Sequence, residues 1–99
     1  MRGRFVDLVE RQLELFGTEH ASLVRDCDAA LDAYNAAPRD EAEERYGDYV
    51  DLVDAARDAL VEYRDEYART LAADAAEEYE DVFNRLARRR LPRFGLELD

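Results

Sequence analysis

The sequence predicts an all-α protein: an antiparallel helical hairpin with a long second helix that dimerises into a bundle. Apolar residues recur at alternating intervals of three and four along almost the whole chain, which is the spacing of a helix that packs on its neighbours. No glycine or proline lies between residues 48 and 91, so nothing there marks a turn. Because 99 residues bury only one modest core, we expect a single domain over residues 1–99.

The first helix is expected over about residues 4–36. Its packed face follows the alternating spacing: Val6, Val9, Leu13, Phe16, His20, Leu23, Cys27, Ala30 and Tyr34. A turn at about residue 37 comes next, because Pro38 suits the first turn of a new helix. The acidic residues among 40–44 would complement the positive end of that helix's dipole.

The second helix is expected over about residues 38–91, followed by an irregular tail over residues 92–99. The heptad spacing of its apolar face changes to steps of four between Tyr67 and Tyr79, which is a stutter in coiled-coil terms. The three arginines at 88–90 favour a helix C-terminus, and Pro92 ends the helix.

The two predicted helices differ in length, which leaves part of the second one uncovered. At 1.5 Å per residue they would be about 50 Å and about 80 Å long. If the chain folds back at residue 37, each residue of the first helix lies opposite a residue of the second helix, and the two residue numbers add up to about 74. The first helix therefore covers the second only to about residue 70. We therefore expect a subunit interface formed by the apolar residues beyond that point: Leu71, Ala75, Tyr79, Val82, Phe83 and Leu86.

An alternative architecture covers the same residues within one chain. Thr70 and Asp74 are both capable helix N-caps, and Asp74 with Glu77 resembles a capping box. A break near residues 70–74 would let the chain fold back as a third helix and form a monomeric three-helix bundle. The lack of a glycine at that point favours the dimer.

The charge distribution bears on partners and location. The chain has 25 acidic residues, 14 basic residues and a net charge of -11, and every basic residue is arginine. This composition resembles that of cytosolic proteins from salt-loving microbes, in which salt screens self-repulsion; a GC-rich genome would also favour arginine over lysine. No stretch approaches the about 20 apolar residues that cross a bilayer, so we expect a cytoplasmic protein without a membrane partner.

His20 is the one histidine, and the expected hairpin places it opposite Val53, Asp54 and Arg57. A hydrogen bond to Asp54 would give it a structural role. Diiron-carboxylate bundles need Glu-x-x-His pairs, whereas Glu19 and His20 are adjacent and point to different faces. We therefore expect no metal site.

Cys27 lies between two aspartates, which raise the pKa of a thiol and oppose its ionisation. It is expected to be a small core residue. Because phosphate-binding loops and hydrolase motifs are also missing from the sequence, we expect no catalytic residue, no cofactor and no small-molecule substrate.

Five arginines form an arginine-rich end: Arg85, Arg88, Arg89, Arg90 and Arg93. Residues 85–99 carry a net charge of +3, and residues 1–84 carry -14. This end could contact a phosphate or a partner. A structural role is the alternative, in which the arginines complement the helix dipole and pair with acidic faces.

These features predict a class of protein rather than a specific activity. The leading expectation is a non-enzymatic interaction module that forms a homodimer or binds a helix of a protein partner. Tyrosines along the second helix would supply contact area: Tyr46, Tyr49, Tyr63, Tyr67 and Tyr79. The alternative is a small regulator that contacts nucleic acid through its arginine-rich end or mimics nucleic acid through its acidic faces. A third hypothesis is a metal- or ligand-binding bundle that uses His20 and the tyrosines.

Overall fold

The computed structural model describes residues 3–95, and the secondary structure of this part is helical. It contains α1 (Val6–Glu19), α2 (Ala21–Ala36), α3 (Ala42–Ala68), α4 (Ala73–Arg90) and α5 (Pro92–Gly95). The predicted all-α class is therefore confirmed. Over residues 3–95, every helix is too short or too polar to cross a lipid bilayer.

A bend at His20 separates α1 from α2. The backbone of His20 leaves the helical region, with φ -109° and ψ 27°. Its N–H still donates to the carbonyl of Phe16 at 2.9 Å, and its carbonyl accepts from the N–H of Val24 at 3.1 Å. The single helix predicted over residues 4–36 is thus wrong, because it begins at Val6 and bends at His20. The His20 ring stacks on Phe16, four residues earlier, and meets Tyr63 of α3 edge-on. The contact with Tyr63 is tertiary, and no local signal in the sequence marks it.

α3 runs antiparallel to α2 after a connection longer than the predicted turn. α2 ends at Ala36 and α3 begins at Ala42, and the N–H of Glu41 donates to the carbonyl of Pro38 within the turn. The longer connection shifts the pairing of the two helices. Tyr34 contacts Tyr46, so paired residue numbers add up to about 80 instead of 74.

The uninterrupted helix predicted over residues 38–91 is wrong, because α3 ends at Ala68 and α4 begins at Ala73. The break lies where the three-helix alternative needs it, although neither Thr70 nor Asp74 is the N-cap residue of α4. Asp74 lies inside α4, where its Oδ1 accepts from the N–H of Ala75 at 3.1 Å. The N-cap of α4 is Ala72, and the Thr70 hydroxyl donates back to the carbonyl of Tyr67 at 2.7 Å. Burial of the apolar face of α4 inside the chain outweighs the missing glycine at the turn.

α4 folds back antiparallel to α3 and parallel to α1. The guanidinium of Arg64 on α3 donates to Oδ1 of Asn84 on α4 at 3.0 Å. The hydroxyl of Tyr79 on α4 donates to Oε1 of Gln12 on α1 at 2.7 Å. The core forms where these helices meet, and its buried apolar residues are Val9, Leu13, Phe16, Cys27, Ala56, Leu60, Ala68, Tyr79, Val82, Phe83, Leu86, Ala87 and Phe94.

The short helix α5 closes one side of this core. Phe94 is buried and its ring lies 6.2 Å from the ring of Phe16. Gly95 passes so close to α4 that a Cβ atom there would lie 2.5 Å from the carbonyl oxygen of Ala87. The predicted irregular tail over 92–99 is therefore corrected to a helical turn over Pro92–Gly95, and residues 96–99 lie outside the described part of the chain.

The molecule is elongated, with dimensions of 51 × 21 × 20 Å. Three helices pack together at one end, where α1, α4 and the C-terminal half of α3 meet. The other end is a two-helix hairpin made of α2 and the N-terminal half of α3. The helices are therefore layered unequally at the two ends of the molecule.

Candidate protein interaction surface

An open groove of about 500 Å³ runs along the two-helix end. Four α3 residues line it at helical spacing, and we call Tyr46, Tyr49, Val50 and Val53 the open stripe. Asp54 and Arg57 extend the same face, and Pro92, Arg93 and Phe94 form the wall on the side of α5.

The open stripe continues the face of α3 that packs on α4. Farther along this face, Leu60 is fully buried and Tyr67 contacts Tyr79 of α4, with ring centroids 4.9 Å apart. α5 reaches the level of Val53, since Phe94 and Val53 line the same groove. Within residues 3–95, no helix lies in the third position beside Tyr46. The groove therefore lies on the same side of α3 as α4 and α5, at the end of α3 that these two helices do not reach.

Burial along α3 follows this layering. The first buried residue of α3 is Ala56, fourteen positions after the helix begins. Half of the Tyr46 side chain is exposed, with a relative accessible area of 50%, and the other stripe residues are partly exposed. Tyr46 also contacts Tyr34 and Tyr49, with ring centroids 5.2 and 6.4 Å apart. Aromatic side chains grouped in this way at a surface are typical of protein interfaces.

The charged side chains lining the groove are already paired. Arg93 donates to Asp28 on α2 at 2.8 Å, and this hydrogen bond raises the pKa of the guanidinium. Arg57 pairs with Asp54 one turn earlier on α3. The groove floor therefore offers apolar and aromatic surface without an unpaired charge among these four residues, which favours a polypeptide ligand with an apolar face.

The surroundings of the groove are strongly acidic. Residues 21–58, which include all of α2 and the first half of α3, contain eleven acidic and four basic residues, a net charge of -7. Four of the acids are grouped around the α2–α3 connection: Asp40, Glu41, Glu43 and Glu44, all of them exposed. We call these four residues the acidic tip.

The arginine-rich end lies at the opposite end of the groove from the acidic tip. Arg93 lines the groove itself, and Arg90 donates to Oε1 of Glu10 on α1 at 2.7 Å. Arg85, Arg88 and Arg89 are exposed and share one face of α4, because they are three and four residues apart. The structure thus gives Arg90 and Arg93 ion pairs with other helices, as the structural alternative predicts.

The residues predicted to form a subunit interface are placed differently. Tyr79, Val82, Phe83 and Leu86 are buried in the core of a single chain, and Leu71 and Ala75 are partly exposed. The predicted interface is corrected for the four buried residues, because α1 and α3 of the same chain already cover them. The fold-back after Ala68 moves the uncovered apolar face from α4 to the beginning of α3.

His20 lines a shallow hollow of about 340 Å³ on another side of the molecule, with Glu19, Glu62, Tyr63 and Glu66. It does not face Val53 or Asp54 as predicted, because the longer α2–α3 connection shifts the pairing. Burial, together with the hydrogen bond that its hydroxyl donates to Glu19, raises the pKa of Tyr63 to about 12. Among residues 3–95, no group of three or more histidine, cysteine or acidic side chains is arranged to hold a metal ion.

Cys27 is fully buried between the two ends of the molecule. Burial is the main cause that raises the pKa of its thiol, and the carboxylates of Asp28 and Asp26 add to this effect. The nearby guanidinium of Arg93 acts in the opposite direction. The thiol therefore stays protonated near neutral pH, which is unsuited to a nucleophile.

The sequence contains a signal for the groove that depends on the chain path. The apolar spacing predicts a packed face along the whole second helix, but it does not say which part has a neighbour. Once the chain folds back after Ala68, the described residues 73–95 run beside α3 as far as the level of Val53, which lines the groove together with Phe94. Within residues 3–95, the path of the chain after Ala68 thus determines which part of the face stays open.

Neither a protein-family model, a curated protein nor a solved structure matches the chain.

Proposed function

We propose that this chain is a non-enzymatic, cytoplasmic protein interaction module that binds a helix of another polypeptide chain in the groove. The observation that carries the proposal is the open stripe itself. One continuous face of α3 packs on α4 between Leu60 and Ala68, and the same face is open between Tyr46 and Val53. A helix placed there would complete the three-helix bundle along its whole length.

The residues of the stripe suit such a contact. Full burial of a valine side chain stabilises a complex by about 1.5–3 kcal/mol, and tyrosine adds a large apolar area with a polar tip. Val50 and Val53 are already partly covered, so each contributes less than that full amount. Tyr46 and Tyr49 would supply the aromatic anchors that carry much of the binding energy in protein interfaces.

A site-specific cross-linking experiment tests this proposal. A photoreactive phenylalanine analogue replaces Tyr46 in cells that express the protein, and in a control it replaces Leu15 on α1. Leu15 is the matched control because its relative accessible area is 49%, against 50% for Tyr46. We expect a discrete cross-linked product from position 46 and none from position 15. Equal labelling at both positions, or none at either, would contradict the proposal.

A second candidate function rests on the three exposed arginines of α4. Arg85, Arg88 and Arg89 lie on one face, which is the arrangement that contacts successive phosphates of a nucleic acid. The charge of -14 on residues 1–84 opposes binding over any larger surface. The test is fluorescence anisotropy with labelled DNA and RNA at several salt concentrations. Salt-sensitive binding that disappears in the Arg88→Ala, Arg89→Ala variant would support this function, and binding that persists would exclude it.

A further inference from the structure

We propose that the occupant of the groove is the two-helix end of a second copy of this chain, bound antiparallel about a two-fold axis near Val50. This inference rests on the proposed interaction function and names its partner. Two observations support it: the pattern of the open stripe and the charges at the two ends of the groove.

The open stripe is complementary to itself when reversed. It has two tyrosines toward the acidic tip and two valines toward α5. An antiparallel second copy places Tyr46 over Val53 of the second copy, and Tyr49 beside Val50 of the second copy. Large side chains then pack on small ones along the whole contact, and the two-fold axis repeats each contact. A parallel arrangement would instead bring tyrosines against tyrosines and valines against valines.

The charges at the ends of the groove favour the same direction. The acidic tip lies at the outer end of the groove, and Arg93 of the arginine-rich end lines its inner end. In the antiparallel arrangement, the acidic tip of each copy lies at the arginine-rich end of the other. A parallel arrangement would bring the two acidic tips together, and their repulsion would oppose binding.

Light scattering coupled to size exclusion tests the inference on the purified chain. We expect a mass of twice 11.4 kDa that falls toward 11.4 kDa on dilution. The Val50→Arg variant places a charge at the two-fold axis and should weaken the dimer at least about tenfold. The control is Leu15→Arg on α1, which should dimerise like the wild type because Leu15 does not line the groove. Thermal unfolding shows whether each variant is folded.

Two charge-reversed variants make the test specific for a second copy. One carries Glu43→Arg and Glu44→Arg in the acidic tip, and the other carries Arg88→Glu and Arg89→Glu in the arginine-rich end. Each variant alone should dimerise more weakly than the wild type. The four tip positions then sum to a charge of 0, or the five arginine positions to +1, so the attraction falls at both ends of the groove. An equal mixture should form a heterodimer, because each reversed end then meets an opposite charge.

Two results would overturn the inference. One is a wild-type chain that remains a monomer over the whole concentration range. The other is a pair of folded charge-reversed variants that do not associate when mixed. If the chain is monomeric while Tyr46 still cross-links specifically to a different protein, the second-copy inference fails and the proposed function stands. If Tyr46 gives no product beyond the Leu15 control, the proposed function fails with it.

Discussion

The hydroxyl of Tyr79 donates a hydrogen bond to Oε1 of Gln12 at 2.7 Å and thereby joins α4 to α1 across 67 residues of chain. The Tyr79 ring is fully buried and packs on the rings of Phe5 and Tyr67. A tyrosine that the sequence assigns to a subunit interface is therefore at the centre of the core of one chain. Its position leads to a first prediction about pH.

Burial raises the pKa of Tyr79 to about 12, against about 10 in an unfolded chain. Between these two values the unfolded chain loses the phenolic proton and the folded chain keeps it, so stability falls as pH rises from 10 to 12. We expect the Tyr79→Phe variant to lose less stability over this range than the wild type. Urea denaturation at pH 9 and at pH 11 measures the difference. An equal loss in both proteins would contradict the assignment.

The same substitution has a separate cost at neutral pH. Removing the hydroxyl breaks the hydrogen bond to Gln12, and the loss is about 1 kcal/mol of unfolding free energy. The loss at pH 7 comes from the hydrogen bond, whereas the fall in stability at high pH comes from ionisation of the phenol. The two effects are therefore measured separately, in different pH ranges of the unfolding free energy.

Replacing glycine by alanine is expected to have opposite effects on stability at two positions. Gly17 lies inside α1, where an added Cβ would meet no atom of the described chain within 4 Å. Gly17→Ala should therefore stabilise the protein by about 0.5–1 kcal/mol through a better helix propensity. Gly95→Ala should destabilise it by about 1–3 kcal/mol, because the new Cβ would press on the backbone of Ala87. Urea denaturation of both variants checks the pair, and the same sign in both would refute the close approach of α5 to α4.

The buried thiol of Cys27 predicts slow chemical modification. Its side chain is fully buried, and burial raises the pKa of the thiol. We expect iodoacetamide to react with the folded chain far more slowly than with the same chain in concentrated urea. The rate in native buffer should follow the unfolding equilibrium, so the stabilising Gly17→Ala substitution should lower it. Fast labelling of the folded wild type would show that Cys27 is accessible.

The net charge of -11 predicts stabilisation by salt. The charges of one sign repel one another in the compact state, and raising the ionic strength from about 0.01 M to about 1 M shortens the Debye length from about 30 Å to about 3 Å. We expect the melting temperature to rise with added potassium chloride. Choline chloride is the control, since it screens charge with a different cation. A melting temperature independent of both salts would contradict the prediction.

Helical spacing was sufficient to predict the class of fold but insufficient for the path of the chain. The apolar seam depends on local periodicity, and each helix keeps that period. At the bend, the His20 ring contacts Tyr63 of α3, and this tertiary contact leaves no mark in the local sequence. The break after Ala68 likewise depends on what α4 gains by packing on α1 and α3. Thr70 and Asp74 were plausible caps for that break, and the chain turns beside them without a side-chain cap on α4.

The sequence was sufficient to predict which residues supply contact area at the candidate site. It was not sufficient to predict where in the fold the uncovered face lies. Tyr46 and Tyr49 were expected to supply contact area, and they lie in the groove. The arginine-rich end was expected to contact a partner or to pair with acidic faces, and Arg90 and Arg93 do pair with Glu10 and Asp28. The location of the uncovered face depended on the direction of the chain after Ala68, which periodicity alone does not contain.

Because the helices are layered unequally, we expect the two ends of the molecule to differ in how often their backbone hydrogen bonds open. A backbone amide exchanges with solvent through the cheapest opening that exposes it. The beginning of α3, with its first buried residue at Ala56, can open without disturbing the core around Phe83. Amides near Tyr46 should thus exchange through frequent local opening, and those near Phe83 through rare global unfolding. A partner in the groove would slow exchange first at the end where the free chain is most easily opened.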